Sequence, residues 1–382
     1  MSQYGVRTIL TVAAGLDAAA TALQFAGSKQ GSYQFVVIGQ FFAAVAYGNI
    51  IQVPGKLSAI WFAPHERGMS TSIRVFMNIM GVAVGFVQPA HMIPVTNDDI
   101  EVLAGLKLFF LSRLIAASII FVLTILLYRE HPPTPTSIIE GKKDLEFFES
   151  LKMLYNDLNF HLMAQAYGIY FGLFVAVSVI MPQLVSWQYG IEPKIQHLIG
   201  WMGFTCDVAA IVSCLMIGFY LDRYAHHKVV AVFLNGGAML FWLIFTLILT
   251  QTKNFQLLFT VYVLYGLVGI PYFASGVEQA AEMTSPVPEG TSSTVILLLG
   301  NLYGFIFIFM FGALVEEGYP LTTVYTILAF YVISTALVAF AKTELKRSEA
   351  ESASTISLES DDVLSGKCET IGDEKPSVNN ES

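Results

Sequence analysis

The sequence predicts an all-α polytopic membrane protein. Of its 382 residues, 55% are hydrophobic and only 13% charged, against roughly 25% charged in soluble domains. The apolar residues gather in runs of roughly 20, the length that crosses about 30 Å of hydrocarbon at 1.5 Å per residue. Lysines and arginines fall mainly on alternate connections between those runs, as cytoplasmic loops require.

Ten segments meet the length and hydropathy expectation: 6–26, 34–60, 70–94, 106–128, 160–185, 197–220, 229–250, 255–277, 291–315 and 321–341. The first follows Met1 closely with no basic n-region or small-residue cleavage site, so it is expected to act as its own insertion signal or to follow further helices. Between the fourth and fifth spans, Pro132, Pro133 and Pro135 break any helix. Beyond them Leu145, Phe148, Leu151, Tyr155 and Leu158 recur at three- and four-residue spacing, predicting a short helix along the membrane surface. The chain therefore divides into four helices over 1–128, a cytoplasmic linker over 129–159 and six helices over 160–341. A polar, acidic tail over 342–382 has too little apolar content to build a core.

Orientation follows from the basic residues. With the amino terminus cytoplasmic, Lys29, Lys107, Lys194 and Lys253 fall outside, Arg113 lies within a span, and the other basic residues fall inside. Both termini are thus expected to be cytoplasmic. The net charge of −9 resides largely in the tail, and no basic face exists for nucleic acid. Three cysteines give no disulfide framework. Nothing resembles a nucleotide-binding loop, no cofactor or metal is implied, and catalysis has little support; His226–His227 is an adjacent pair without further ligands near it in sequence.

Four helices, a basic loop and six helices become symmetric if one hairpin is added before residue 6. The pattern resembles helices three to twelve of the major facilitator architecture, whose two six-helix halves flank a central site. Gly218-Phe-Tyr-Leu-Asp222-Arg223 is similar to that superfamily's G-x-x-x-D-R turn, which implies that Gly218 admits a neighbouring helix, Asp222 caps the next helix, and Asp222 and Arg223 act at an inner gate. Gly5 and Arg7 resemble the remnant of the matching turn. Trp61-Phe62-Ala-Pro-His-Glu66-Arg67 is similar to the superfamily's turn between helices four and five.

A more specific signature runs through Gly276, Glu278, Ala280, Glu282, Thr284, Pro286, Glu289, Gly290, Thr291, Ser292 and Ser293. With the stretch from Met77 to Pro89 and Trp187-Gln-Tyr189, it resembles the feline leukaemia virus subgroup C receptor family over about residues 5–341. The resemblance implies a transporter of a choline- or ethanolamine-like cation, or of haem. In the cation pocket of that family, Ile79 stands for one glutamine, Asn301 for another, and Val175 for a cage tyrosine, with Tyr167, Tyr170 and Phe174 close in sequence. The family's cage tryptophan lies on helix one.

Intramembrane polar groups mark the remaining candidates, because each is costly in lipid. Asn78, Asn301, Tyr170, Asp207 and Tyr303 are expected to line a substrate cavity. Asp222, Arg223 and Glu278 are expected at the inner gate, with Glu278 paired to Arg223 or backbone. Arg113 is the expected partner of Asp17 or Asp207. The leading expectation is a secondary transporter in the plasma membrane, with a bilayer and a small solute as its partners. A rival of another class is a non-transporting truncated isoform that regulates a full-length paralogue.

Overall fold

The computed structural model describes residues 5–29, 32–50, 53, 57, 61–62, 67–96, 98–129, 147–224, 226–343 and 346. The linker residues 130–146, part of the Trp61–Arg67 turn and the acidic tail beyond Lys346 lie outside them. In chain order the helices are α1 Val6–Ala26, α2 Tyr33–Ile50, α3 Arg67–Met92, α4 Asp99–Leu127, α5 Phe147–Asn156, α6 Leu158–Tyr189, α7 Pro193–Tyr224, α8 His227–Gln251, α9 Phe255–Gly269, α10 Pro271–Thr284, α11 Glu289–Glu316 and α12 Pro320–Phe340.

Among the described residues eight spans are long and apolar enough to cross a bilayer, with α9 and α10 forming one of them, Phe255–Thr284. α2 and α3 are not among the eight. α3 carries Arg74, Asn78, Gln88 and His91, and it packs against both α4 and α7. Of these, Gln88 donates to Ser112 of α4 at 2.7 Å, the arrangement bilayer proteins use for such residues.

The main core belongs to the second half. Its buried cluster runs from Leu154 to Ala341 and centres on Trp242, Tyr167, Tyr170, Tyr262, Tyr265, Tyr272 and Tyr331. α6 packs along α11 and α12, α8 along α9 and α12, and α9 along α7. In the first half, α1 packs on α2 and α4. The halves meet chiefly where α3 lies on α7. There a Cβ on Gly200 would meet Ala90 Cβ at 2.7 Å, and one on Gly203 would meet the Phe86 ring at 2.5 Å. These absent side chains let the two backbones approach, which is how helices associate in lipid.

Two expectations concern the end of α7. Among the described residues nothing lies within 4 Å of a would-be Cβ on Gly218; close approach on α7 is made by Gly200 and Gly203. Asp222 lies inside the last turn of α7, and α8 has His226 at its N-cap, without a side-chain bond.

α5 forms where the spacing of apolar residues places a helix. Ser150 and Leu154 are buried, while Phe148 and Tyr155 are 80% and 76% exposed. The apolar face predicted from sequence therefore turns away from the protein. Leu145 lies outside the described residues.

Asp157 joins this helix to the next. Its Oδ1 accepts from the backbone N–H groups of Asn159 (3.0 Å) and Phe160 (3.2 Å), capping α6. Its Oδ2 accepts from Lys346 Nζ at 3.1 Å. The Lys342 N–H donates to Asn159 Oδ1, and Gln279 Nε2 donates to Thr343 Oγ1. The chain leaving α12 is thereby tied to the start of α6 and to α10. Partial burial pushes the Asp157 carboxyl up, but the Phe160 N–H and Lys346 outweigh it and hold the group below its usual range. Asp157→Ala should lower stability by about 1–2 kcal/mol through loss of the cap. Because the folded carboxyl is the stronger acid, that contribution is complete above about pH 4 and disappears as pH falls through the folded value. Melting curves in detergent from pH 7 to pH 3 should show the gap between variant and wild type closing.

Candidate functional site

Pro271 interrupts the Phe255–Thr284 span. Lacking an N–H, it leaves the Leu267 carbonyl without its helical donor, and Phe273 N–H bonds back to Ile270 O at 3.0 Å. Irregular backbone at membrane depth is tolerated where protein surrounds it. Here the surroundings are aromatic. Tyr170 stands edge-on to Tyr272 (4.8 Å between ring centroids), Tyr331 (5.6 Å) and Phe273 (6.0 Å). A Cβ on Gly269 would lie 2.6 Å from the Tyr170 hydroxyl, so only glycine leaves room for that hydroxyl beside α9. The Tyr265 and Tyr331 hydroxyls are hydrogen-bonded to each other.

A polar stripe follows on α10. Tyr272, Ser275 and Gln279, at i, i+3 and i+7, share one helix face and are buried. Tyr170 Oη, Ser275 Oγ and Gln279 Oε1 have no hydrogen-bond partner among the described residues. Nearby polar groups are fully used: Asn235 donates to Ser334 Oγ at 2.9 Å, Ser334 donates to the Ala166 carbonyl, and Thr335 donates to Asn235 Oδ1. The core of this half thus holds one satisfied network and one stripe with spare bonding capacity.

Asp207 is the second unusual group. It is 4% exposed, and its Oδ2 has no hydrogen-bond partner among the described residues. On α7 it shares a face with Gly200 and Gly203, seven and four residues earlier, which contact α3. It also lies within electrostatic reach of Tyr262 on α9. A carboxylate therefore sits at membrane depth on the α7 face whose glycines meet α3, beside Tyr262 of α9. Arg113 is not its counter-ion, contrary to expectation: Arg113 Nη1 donates to Gln24 Oε1 at 3.2 Å, and its guanidinium lies 5.7 Å from the Phe109 ring centroid.

The other sequence candidates are dispersed. Tyr303 donates to Gln165 Oε1 and packs over Gly168 and Gly172. Asn301 is exposed and donates to its own helix at Leu297 O. Asn78 is exposed on α3. Glu278 is half-buried on α10, and Arg223 is exposed with its guanidinium 5.7 Å from the Tyr224 ring centroid. The side chain of Asp222 lies outside the described residues. Two open cavities, of about 430 and 560 Å³, lie near the α6–α7 and α3–α4 connections, and none of these candidates lines them.

The family profile described as Major Facilitator Superfamily matches residues 1–308. The chain belongs to that superfamily. It is 26% identical over 359 residues to the choline/ethanolamine transporter FLVCR2 of Homo sapiens, covering 92% of this chain and 67% of that protein. It is 29% identical to the choline/ethanolamine transporter flvcr2b of Danio rerio, covering 91% of this chain and 72% of that one. Among solved structures it resembles the D-xylose–proton symporter, with a TM-score of 0.66, 14% identity and coverage of 89% and 80%. It also resembles the FucP transporter in its outward conformation, with a TM-score of 0.62, 13% identity and coverage of 90% and 85%. These structural likenesses establish the fold.

For this facilitator, three features escaped sequence reasoning. The break at Pro271 was legible as a proline inside an apolar run. The spare polar stripe on α10 becomes visible only once α6 and α8 cover it. The facing pair Gly168-x-x-x-Gly172 and Gly300-x-x-x-Gly304 is a helix-packing signal that stood in the sequence. Gly81-x-x-x-Gly85 on α3 has the same form, and among the described residues nothing lies within 4 Å of a Cβ on either glycine.

Proposed function

We propose that this chain is a secondary transporter moving a small organic cation of the choline and ethanolamine type by alternating access. The observation that carries the cationic preference is Asp207, a buried carboxylate with one oxygen unpartnered among the described residues, on the helix face whose glycines meet α3. A positive solute would supply the charge that the helices do not. The relatives' names, choline/ethanolamine transporter, point the same way. In this reading residues 1–128 and 160–341 rock against each other about the α3–α7 contact. The 129–159 linker and 342–382 tail lie in the cytoplasm of a plasma-membrane protein.

Asp207, Tyr170, Tyr303, Asn78 and Asn301 would then face the solute path in one state or another of the cycle. Asp222, Arg223 and Glu278 would act at the inner end. Aromatic rings suit an ammonium group, and the second half supplies many of them.

The test is uptake of labelled choline and ethanolamine, with haem as comparator, by cells carrying the protein at matched surface levels. Saturable uptake of either amine above mock cells is expected. Glu278→Gln should cut that uptake at least threefold without reducing surface expression. Unchanged kinetics in the variant would remove Glu278 from the mechanism. A surface-expressed, folded protein that moves none of the three would favour the rival reading of a non-transporting partner of a full-length relative.

A further inference from the structure

The geometry points to a transition-metal site that bridges the two halves at the end of the α3–α7 seam, built by His91 and His197. Their ring centroids lie 4.5 Å apart with planes tilted by 51°. His91 belongs to α3 and His197 to α7, so each half supplies one imidazole. His91 Nδ1 lies 3.0 Å from the Val87 carbonyl of its own helix. A carbonyl only accepts, so Nδ1 carries a proton, and in the neutral ring Nε2 then carries the lone pair. Fixing one ring nitrogen on a carbonyl while the other faces a metal is the usual arrangement of a ligating histidine. His197 Nδ1 is buried without a hydrogen-bond partner among the described residues.

Both rings line the cavity of about 560 Å³, which Thr96 and Glu101 also line. Two imidazoles binding one ion at about 2.1 Å place their ring centres roughly 5 Å apart, so a small adjustment from 4.5 Å suffices. Imidazole selects Zn²⁺, Ni²⁺ and Cu²⁺ over Ca²⁺ and Mg²⁺. Among the described residues no group of three or more His, Cys, Asp or Glu side chains is placed to hold a metal. The site is therefore one with two protein ligands, completed by water, and its binding is reversible. Because the ligands come from α3 and α7, a bound ion ties the halves together at this end and holds it shut.

Trp201 provides the readout, its ring edge-on to His91 at 6.0 Å. Ni²⁺ titrated into the purified full-length chain should quench tryptophan fluorescence saturably. His91→Ala and His197→Ala should each weaken Ni²⁺ binding at least tenfold, and His161→Ala should leave it unchanged. Trp201→Phe should abolish the saturable quench while calorimetric Ni²⁺ binding persists. His91→Gln and His197→Gln replace the alanine variants if those do not purify, since each removes the imidazole but keeps a polar side chain. Wild-type affinity in either histidine variant overturns the site. The clamp rests on the transport reading: Zn²⁺ should inhibit amine uptake by wild type and lose that effect at least tenfold in His197→Gln. Zn²⁺ binding that leaves uptake untouched overturns the clamp. Absence of amine uptake in wild type, with Ni²⁺ still bound through both histidines, defeats the transport reading and the clamp but leaves the site standing.

Discussion

Gly172→Ala is expected to destabilise the protein by about 2 kcal/mol. The added Cβ would lie 2.6 Å from Tyr303 Cβ, 2.7 Å from Gly304 N and 2.8 Å from the Tyr303 carbonyl carbon. Two of those three atoms are backbone, so no side-chain rotation relieves the contact and α6 must move away from α11. Overpacking of this kind costs about 1–3 kcal/mol, with backbone clashes at the upper end. Against it stands the helix preference of alanine over glycine, about 1 kcal/mol. The steric term wins. In lipid no hydrophobic effect holds helices together, so the loss of close packing is not offset by burial elsewhere. Gly81→Ala and Gly85→Ala are the controls: each glycine has the same x-x-x spacing but nothing within 4 Å of a Cβ. They should be neutral or stabilising by up to about 1 kcal/mol. Thermal unfolding in one detergent compares all three; a Gly172→Ala protein as stable as wild type would mean that α6 and α11 do not meet as closely as described.

That contrast shows what the sequence could and could not disclose. Chain segments with uniform apolar runs, such as α8 and α12, were legible because bilayer thickness alone dictates their length. In α2 and α3 polar residues interrupt the apolar runs, and the sequence does not say that two of them bond to other helices: Gln40 with Gln24 and Gln88 with Ser112. The glycine spacing of 81 and 85 is indistinguishable by pattern from that of 168 and 172; only the neighbour decides. The family signature from Gly276 to Ser293 was readable as a motif. Its local work, a tight α10–α11 turn with Val287 N–H on Thr284 O at 2.8 Å and Thr291 N–H on Pro288 O at 2.9 Å, needed coordinates. For the site, Asp207 announced itself as a charge inside an apolar run. Arg113 suggested a salt bridge by arithmetic of charges, yet it lies on α4 beside α1, and Gln24 there takes its hydrogen bond.

Asp207→Leu should therefore separate stability from transport. The carboxyl is 4% exposed, one oxygen lacks a partner among the described residues, and the helix spans the bilayer. Burying an incompletely bonded polar group costs about 1–3 kcal/mol on the scale of protein mutations, so an apolar residue of similar reach should raise stability by an amount of that order. Asp207→Asn should recover less of it, because the amide brings its own unmet donors. A group kept at such a cost fits a site whose partner arrives with the substrate. Both variants remove the charge, and both should reduce amine uptake at least tenfold at equal surface expression, a barrier change of about 1.4 kcal/mol or more. The combination is diagnostic. A leucine variant that melts higher and fails to transport marks Asp207 as part of the solute path. One that melts lower would show that the carboxyl is bonded in the fold, and one that transports normally would assign the cation's counter-charge to another residue.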